Sequence, residues 1–397
     1  MTNTPVAIVD YDITCAAGTG LQAVRQSLRD QLSGLQPNDL PYSSLDTWIG
    51  KVSAVDDAEW SNDQQSWKSR NNSLIRLALN QGQLKNTVAN MQDKFGPERV
   101  GLVMGSSTSS IDRSESAYRH LNDADRLTPE YQQASVLNPH APAIFVADYL
   151  NIRGPAMTIS TACSSSAKVF ATAARWLRTG LVDAVLVGGA DTLCLSVLHG
   201  FHSLQLVSMH TCKPFDVNRD GINLGEAAGF AILARANEME SHSGIALNAY
   251  GESSDAHHMS HPHPDGKGAQ LAIEKALHAA SLQAKDIGYI NLHGTASRAN
   301  DTIEGNLISR MFPASTWTSS TKAWTGHTLG AAGIVEAIIT MDALITGLLP
   351  GTLNLSAVDP EISLAMQADN SQASIRHAMS NSFGFGGNNA VLIFSQL

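Results

Sequence analysis

The chain has 397 residues, 43% of them hydrophobic and 16% charged, enough to bury a large core and to fill two or three domains. A net charge of −10 leaves no basic stripe for nucleic acid, and four scattered cysteines do not make a disulfide framework. The N-terminus lacks a basic segment followed by an apolar one, and no apolar run is read as a membrane span, so a soluble cytoplasmic protein is expected.

In chain order, "VAIVDYDI" (Val6–Ile13) reads as a buried strand, followed by a helix over "GLQAVRQSLRDQLSG". "RVGLVMGSS" (Arg99–Ser107) is a strand that turns small and polar at its end, and "PAIFVADYLN" is a short helix. "AMTIST" predicts a strand, Ser164–Thr179 a helix, "AVLVGGAD" and "GFAILARA" two more strands. The second half repeats the pattern: a strand over "IALNAYGESSD", a helix over Gly268–Leu282, and strands over "IGYINLHGT" and "WTSSTK". A helix over Gly330–Gly347 follows, then two strands around the glycine turn of "AMSNSFGFGGNNAVLIF". Alternation of this kind predicts an α/β fold with mostly parallel sheets covered by helices.

Two of these helices, Ser164–Leu177 and Gly333–Leu349, are apolar nearly all round, which predicts burial on every side between two sheets. One such helix in each half implies two similar halves stacked in layers. The break at "EMESHSG" sets the halves at residues 1–242 and 243–397.

Cys163 in "TACSSS" stands at a strand-to-helix corner. The positive end of the helix dipole there favours thiolate, and small residues after it let a substrate approach unpaired backbone N–H groups. A buried structural cysteine is the alternative. His293 in "NLHGT", and Lys322 and His327 in "TKAWTGHTLGAAG", also stand where strands end, the edge that lines the ligand crevice of open α/β sheets.

Taken in order, "TACSSS", "KPFDVNRDGINLGEAAGF", "HGT" with Asp301, "STKAWTGHTLGAAG" and "SNSFGFGGNN" resemble the β-ketoacyl-acyl-carrier-protein synthases, elongating condensing enzymes of the thiolase superfamily. The resemblance spans almost the whole chain. It implies a five-layered αβαβα fold and a dimer. It implies decarboxylative Claisen condensation: Cys163 carries the acyl chain as a thioester, and His293 and His327 act on malonyl-acyl carrier protein. The oxyanion is implied to sit between the amides of Cys163 and Phe385, with Phe385 also the gate. Lys322 and Glu336 would form a buried pair, and Asp301 and Glu304 would hold the "HGT" loop. Phe383 and Thr108 are assigned to the acyl pocket, and Lys68, Arg70 and Arg76 to carrier docking, against a plain solvated helix face. No cofactor resides in the protein by this reading; phosphopantetheine arrives on the carrier. No metal is expected either, although His257, His258, His261 and His263 crowd one loop.

The sequence departs from the family at Asn388 after "GFGG", at Ser297 and Arg298 in "HGTASRAND", and at "GEA" (Gly225–Ala227). These departures lean toward a polyketide or aryl-polyene type, in which the active subunit pairs with a cysteine-less chain-length factor; a homodimer stays open. Competing readings are a chain-length-factor subunit, a cysteine hydrolase and an acyl-CoA thiolase. The first is opposed by the retained thiol. The hydrolase does not explain two histidines with a lysine, and the thiolase's second cysteine is absent from the glycine loop.

Overall fold

The computed structural model describes residues 6–132, 134–239 and 243–397. The expected boundary between halves falls at residues 240–242, outside the described residues. Among the described residues the main sheet has eleven strands, ten of them on its main path: β1 (Val6–Cys15), β2 (Val100–Gly105), β3 (Ala156–Ile159), β4 (Ala184–Asp191), β5 (Ala227–Arg235), β6 (Ile245–Ser254), β7 (Tyr289–Asn291), β8 (Trp317–Ser319), β9 (His377–Gly384) and β10 (Asn388–Gln396). The helices that matter are α1 (Leu21–Arg29), α2 (Arg70–Leu79), α3 (Leu84–Phe95), α4 (Ile111–Arg119), α5 (Ala141–Tyr149), α6 (Ser165–Arg178), α7 (Leu195–Ser203), α8 (Lys267–Ala280), α9 (Arg298–Met311) and α10 (Ala332–Thr346).

The strand order is β8-β7-β9-β10-β6-β1-β5-β4-β2-β3, with the short Gly18–Thr19 strand beside β1. Each half contributes one array of five strands, in the same order, third-second-fourth-fifth-first. The arrays join edge to edge where β1 runs antiparallel to β6, Val6 opposite Leu247. The sheet is mixed, where the alternating sequence predicted mostly parallel pairing. Pairs β2–β3, β2–β4, β7–β8 and β7–β9 are parallel. Pairs β1–β5, β4–β5, β6–β10 and β9–β10 are antiparallel. In the second half the cause is direct: β9 turns straight back into β10 through a glycine turn, with no crossover helix to carry the chain around.

In each half the helix after the third strand, α6 or α10, enters the middle of the molecule. One core holds Val169, Phe170 and Ala173 of α6, Ile334, Ile338 and Met341 of α10, and strand residues of both arrays. A second core lies under α2, α3 and α5, and a third under α8 and α9. These layers make the thiolase-like αβαβα arrangement. The two central helices touch closely: a Cβ on Gly333 would collide with Ala167, and the Ile334 N–H donates to Ser166 Oγ at 2.9 Å.

Helix α10 is buried almost throughout, but α6 is not. Its Arg175 and Arg178 are exposed, and Arg175 pairs with Glu252 at 2.7 Å. The sequence reading gave α6 too wide an apolar face, because alanines suit either surroundings. It also missed that Leu329–Thr346 is long and apolar enough for a membrane span; this stretch is 89% buried inside the protein.

Candidate active site

Ala162 takes a left-handed φ of 52°, rare for a residue with a Cβ, and this bend places Cys163 at the corner between β3 and α6. Ser165 Oγ braces the bend, accepting from the Thr161 N–H at 2.9 Å and donating to the Ala162 carbonyl at 2.6 Å. Cys163 Sγ and ring nitrogens of His293 and His327 all lie within 4.8 Å of one another, and all three side chains are buried. The imidazoles stand edge to face, 5.5 Å between centroids and 87° between planes.

Hydrogen bonds fix how each ring presents itself. His327 Nδ1 accepts the Leu329 N–H at 3.1 Å, so a neutral His327 carries its proton on Nε2. His293 Nδ1 lies 3.4 Å from the Lys322 ammonium, which can only donate, so His293 also carries its proton on Nε2. Burial, then the Lys322 charge, holds both imidazoles well below their usual pKa, with His327 adding to the effect on His293. The site thus holds two neutral N–H donors. Burial here overrides the near-neutral titration usual for imidazole.

Lys322 is itself buried. It donates to the His293 carbonyl at 2.5 Å and is paired with Glu336 on α10. Burial pushes the Glu336 carboxyl up to about 7 against the pull of Lys322. Glu304 accepts from the His293 and Gly294 N–H groups at 2.9 and 2.8 Å. Asp301 accepts from those of Phe215 and Ala296 at 2.8 and 3.1 Å. Both acids are turned toward backbone and away from the thiol.

Burial raises the Cys163 thiol to about 11, while Lys322 and the Phe385 N–H pull it down. The dipole-lowered thiolate expected from sequence is not realised, because a dry site costs the thiolate its hydration. Cys15 and Cys212, equally buried, are pushed further, to about 12. The N–H groups of Phe385 and of Cys163 itself both act on this sulfur.

A cavity of about 480 Å³ opens from these groups, lined among others by Phe383, Phe385, Phe201, Leu204, His258 and Arg298. Phe385 packs tilted against Phe201 of α7, 5.5 Å between centroids, and Phe383 packs against His293. The loop with the four histidines is tied to the glycine turn, for the Gly386 N–H donates to the Met259 carbonyl at 2.7 Å.

Four assigned residues fare differently. Thr108 is not among the residues lining this cavity; its hydroxyl donates to Asp191 at 2.7 Å. Arg70 is spent on buried Glu226, at 2.8 and 2.5 Å, and on Asp56. Arg76 lies over the Trp60 ring, 4.2 Å from its centroid. Lys68 is exposed but outside the cavity lining. Sequence reasoning missed Asp191, a buried carboxylate that takes the N–H groups of Ser107, Thr108 and Gly330 and so ties the first half to the loop after His327. Its signal was a lone acid at the end of an apolar strand.

Cys163, His293 and His327 also form the single group among the described residues that could hold a metal ion. The adjacent Lys322 ammonium opposes a cation there.

Comparison with known proteins decides the family. The model of the β-ketoacyl synthase N-terminal domain matches residues 3–239, and that of the C-terminal domain matches 245–356. The chain belongs to the β-ketoacyl synthase family. It is an acyltransferase of the condensing type. This synthase is 34% identical over 320 residues to 3-oxoacyl-[acyl-carrier-protein] synthase 2 of Vibrio cholerae, covering 75% of this chain and 76% of that one. It is 30% identical over 403 residues to nodulation protein E of Rhizobium leguminosarum bv. trifolii, covering 99% of each. Its fold matches the ketosynthase ApeO of Xenorhabdus doucetiae, solved in complex with its chain length factor ApeC. The TM-score is 0.88 and the identity 36%, over 99% of this chain and 98% of that one.

Proposed function

We propose that Cys163 receives the growing acyl chain and that His293 and His327 together stabilise the enolate formed from malonate. The enzyme elongates an acyl chain by condensation with malonyl-acyl carrier protein. The observation that carries the residue roles is the convergence of one thiol and two imidazoles, from distant parts of the chain, at one end of the cavity.

The geometry supports the following steps. The Cys163 sulfur attacks the carbonyl of an acyl thioester on the carrier's phosphopantetheine arm. The oxyanion accepts hydrogen bonds from the Cys163 and Phe385 amides. The carrier thiol leaves with the proton that Cys163 gives up. Malonyl carrier then binds, and its bond to the carboxylate breaks. CO₂ departs and the electron pair moves into an enolate, whose oxygen accepts from the two Nε2–H groups. The enolate carbon attacks the Cys163 thioester, forming the new carbon–carbon bond. The carbon–sulfur bond breaks, and Cys163 regains a proton. Lys322 orients His293 and is balanced by Glu336, so its charge need not be desolvated alone.

This chain keeps the thiol and both histidines, which fits the active subunit of a pair. By likeness to the Xenorhabdus ketosynthase, solved with its chain length factor, we read the partner as a homologous chain-length subunit; a homodimer is the other arrangement. The departures at Ser297, Arg298 and Asn388 favour a polyketide or polyene chain.

The test is direct. The purified enzyme is given labelled acyl-carrier protein and malonyl-carrier protein, and the β-ketoacyl product and the intact mass of the enzyme are read. A Cys163 adduct followed by product supports the reading. Product without any adduct, or no product with any acyl length, contradicts it.

A further inference from the structure

The carrier arm brings one fixed charge to the site, the phosphodiester of phosphopantetheine, and the structure shows which cation is free to meet it. Arg298 is the one arginine or lysine among the residues lining the cavity, and it is exposed. Its guanidinium has no hydrogen-bonding or ion-pair partner among the described residues. The acids that could neutralise it are engaged. Asp220 accepts from Ser208 Oγ at 2.5 Å and pairs with His210. Asp255 accepts from Asn389 Nδ2 at 2.8 Å and from the His263 N–H at 3.0 Å. Asp359 is paired with Arg219 at 2.5 Å and feels the Arg298 charge only through space, beyond ion-pair distance.

The backbone that displays Arg298 is anchored. Buried Arg219 donates to the Arg298 carbonyl at 3.4 Å and to Thr302 Oγ1 at 2.8 Å. Next to it, Thr295 Oγ1 and Ser297 Oγ lie 2.9 Å apart, two hydroxyls at the same rim. On a body of net charge −10 an anionic arm needs a local cation, and the arginine first considered for this, Arg70, is consumed inside the protein.

We propose that Arg298 is a specificity residue that binds the phosphate of the carrier arm at the cavity mouth. This rests on the carrier-dependent reading above and adds the residue that reads the arm's charge. A guanidinium on an anchored backbone offers paired N–H donors to phosphate oxygens.

The experiment compares S-malonyl-4′-phosphopantetheine with S-malonyl-pantetheine, which lacks the phosphate, by CO₂ release from the enzyme and from Arg298→Ala and Arg298→Lys. The wild-type enzyme should favour the phosphate-bearing substrate in kcat/KM by roughly tenfold, as expected of a charge-assisted contact. In Arg298→Ala that ratio should collapse toward one, through KM, with Arg298→Lys intermediate. An unchanged ratio in Arg298→Ala overturns the proposal, and so does an equal loss on both substrates, which marks a merely structural role. If the wild-type enzyme releases CO₂ from neither substrate, the condensing reading itself fails, and the inference falls with it.

Discussion

The two halves share a strand order and a central helix, yet they carry different parts of the chemistry. The first half places a thiol at the start of α6. The second places two histidines, a lysine and a glutamate around the start of α10, with the glycine turn between β9 and β10. The shared scaffold lets the loop after β3 in one half and the loops after β7 and β8 in the other bring Cys163, His293 and His327 to one cavity. The difference lies in the surroundings. Helix α10 is buried and carries Glu336 with its ammonium partner, whereas α6 keeps a solvent stripe. On the proposed reading, one half holds the acyl chain and the other the charge that forms on malonate.

The largest break in this division comes from the first half. Cys163→Ala should abolish acyl transfer, read as loss of the covalent adduct by intact mass; an adduct at wild-type level would refute the role. In the second half, Lys322→Met leaves Glu336 buried without its partner. That should cost about 3–5 kcal/mol of stability by urea unfolding, while the double variant Lys322→Met/Glu336→Leu recovers much of it.

His327→Ala tests the separation itself. Acylation of Cys163 should survive, while malonyl decarboxylation falls by roughly 10²–10³, as on removal of one preorganised donor. Equal loss of both steps would mean that the halves are not divided as described.

The smallest effects concern pH. Alkylation of Cys163 by iodoacetamide should keep rising through pH 9, with no plateau below about 11. Both imidazoles are held below their unfolded pKa, so below pH 6.5 the unfolded chain binds more protons than the folded one. Stability from these two is therefore full above 6.5 and lost as pH falls. A His293→Gln/His327→Gln enzyme should show a shallower acid slope in urea unfolding.

Much of this was legible in the residues. Cys163, His293, His327 and Lys322 each stand at a strand end, and strand ends share one edge of the fold. The buried helix α10 was visible in its apolar surface, broken only by Glu336, Asp342 and two threonines. What the sequence could not show was set by distant partners. Arg70 looks like a surface cation until Glu226, far along the chain, is seen beside it. Thr108 looks like a pocket residue until Asp191 claims its hydroxyl. Helices α3 and α4 bury only three residues and one, too few to mark them among their polar neighbours. The thiol's raised pKa reflects a dry cavity that no local motif encodes.

The most direct measurement is a crystal structure of the enzyme with Cys163 acylated. The thioester oxygen should accept from the Cys163 and Phe385 amides, with both imidazoles still gathered around the sulfur and their Nε2 atoms facing open space for malonate. An acyl group turned away from those amides, or imidazoles drawn apart so that no single thioester could reach both, would contradict the account.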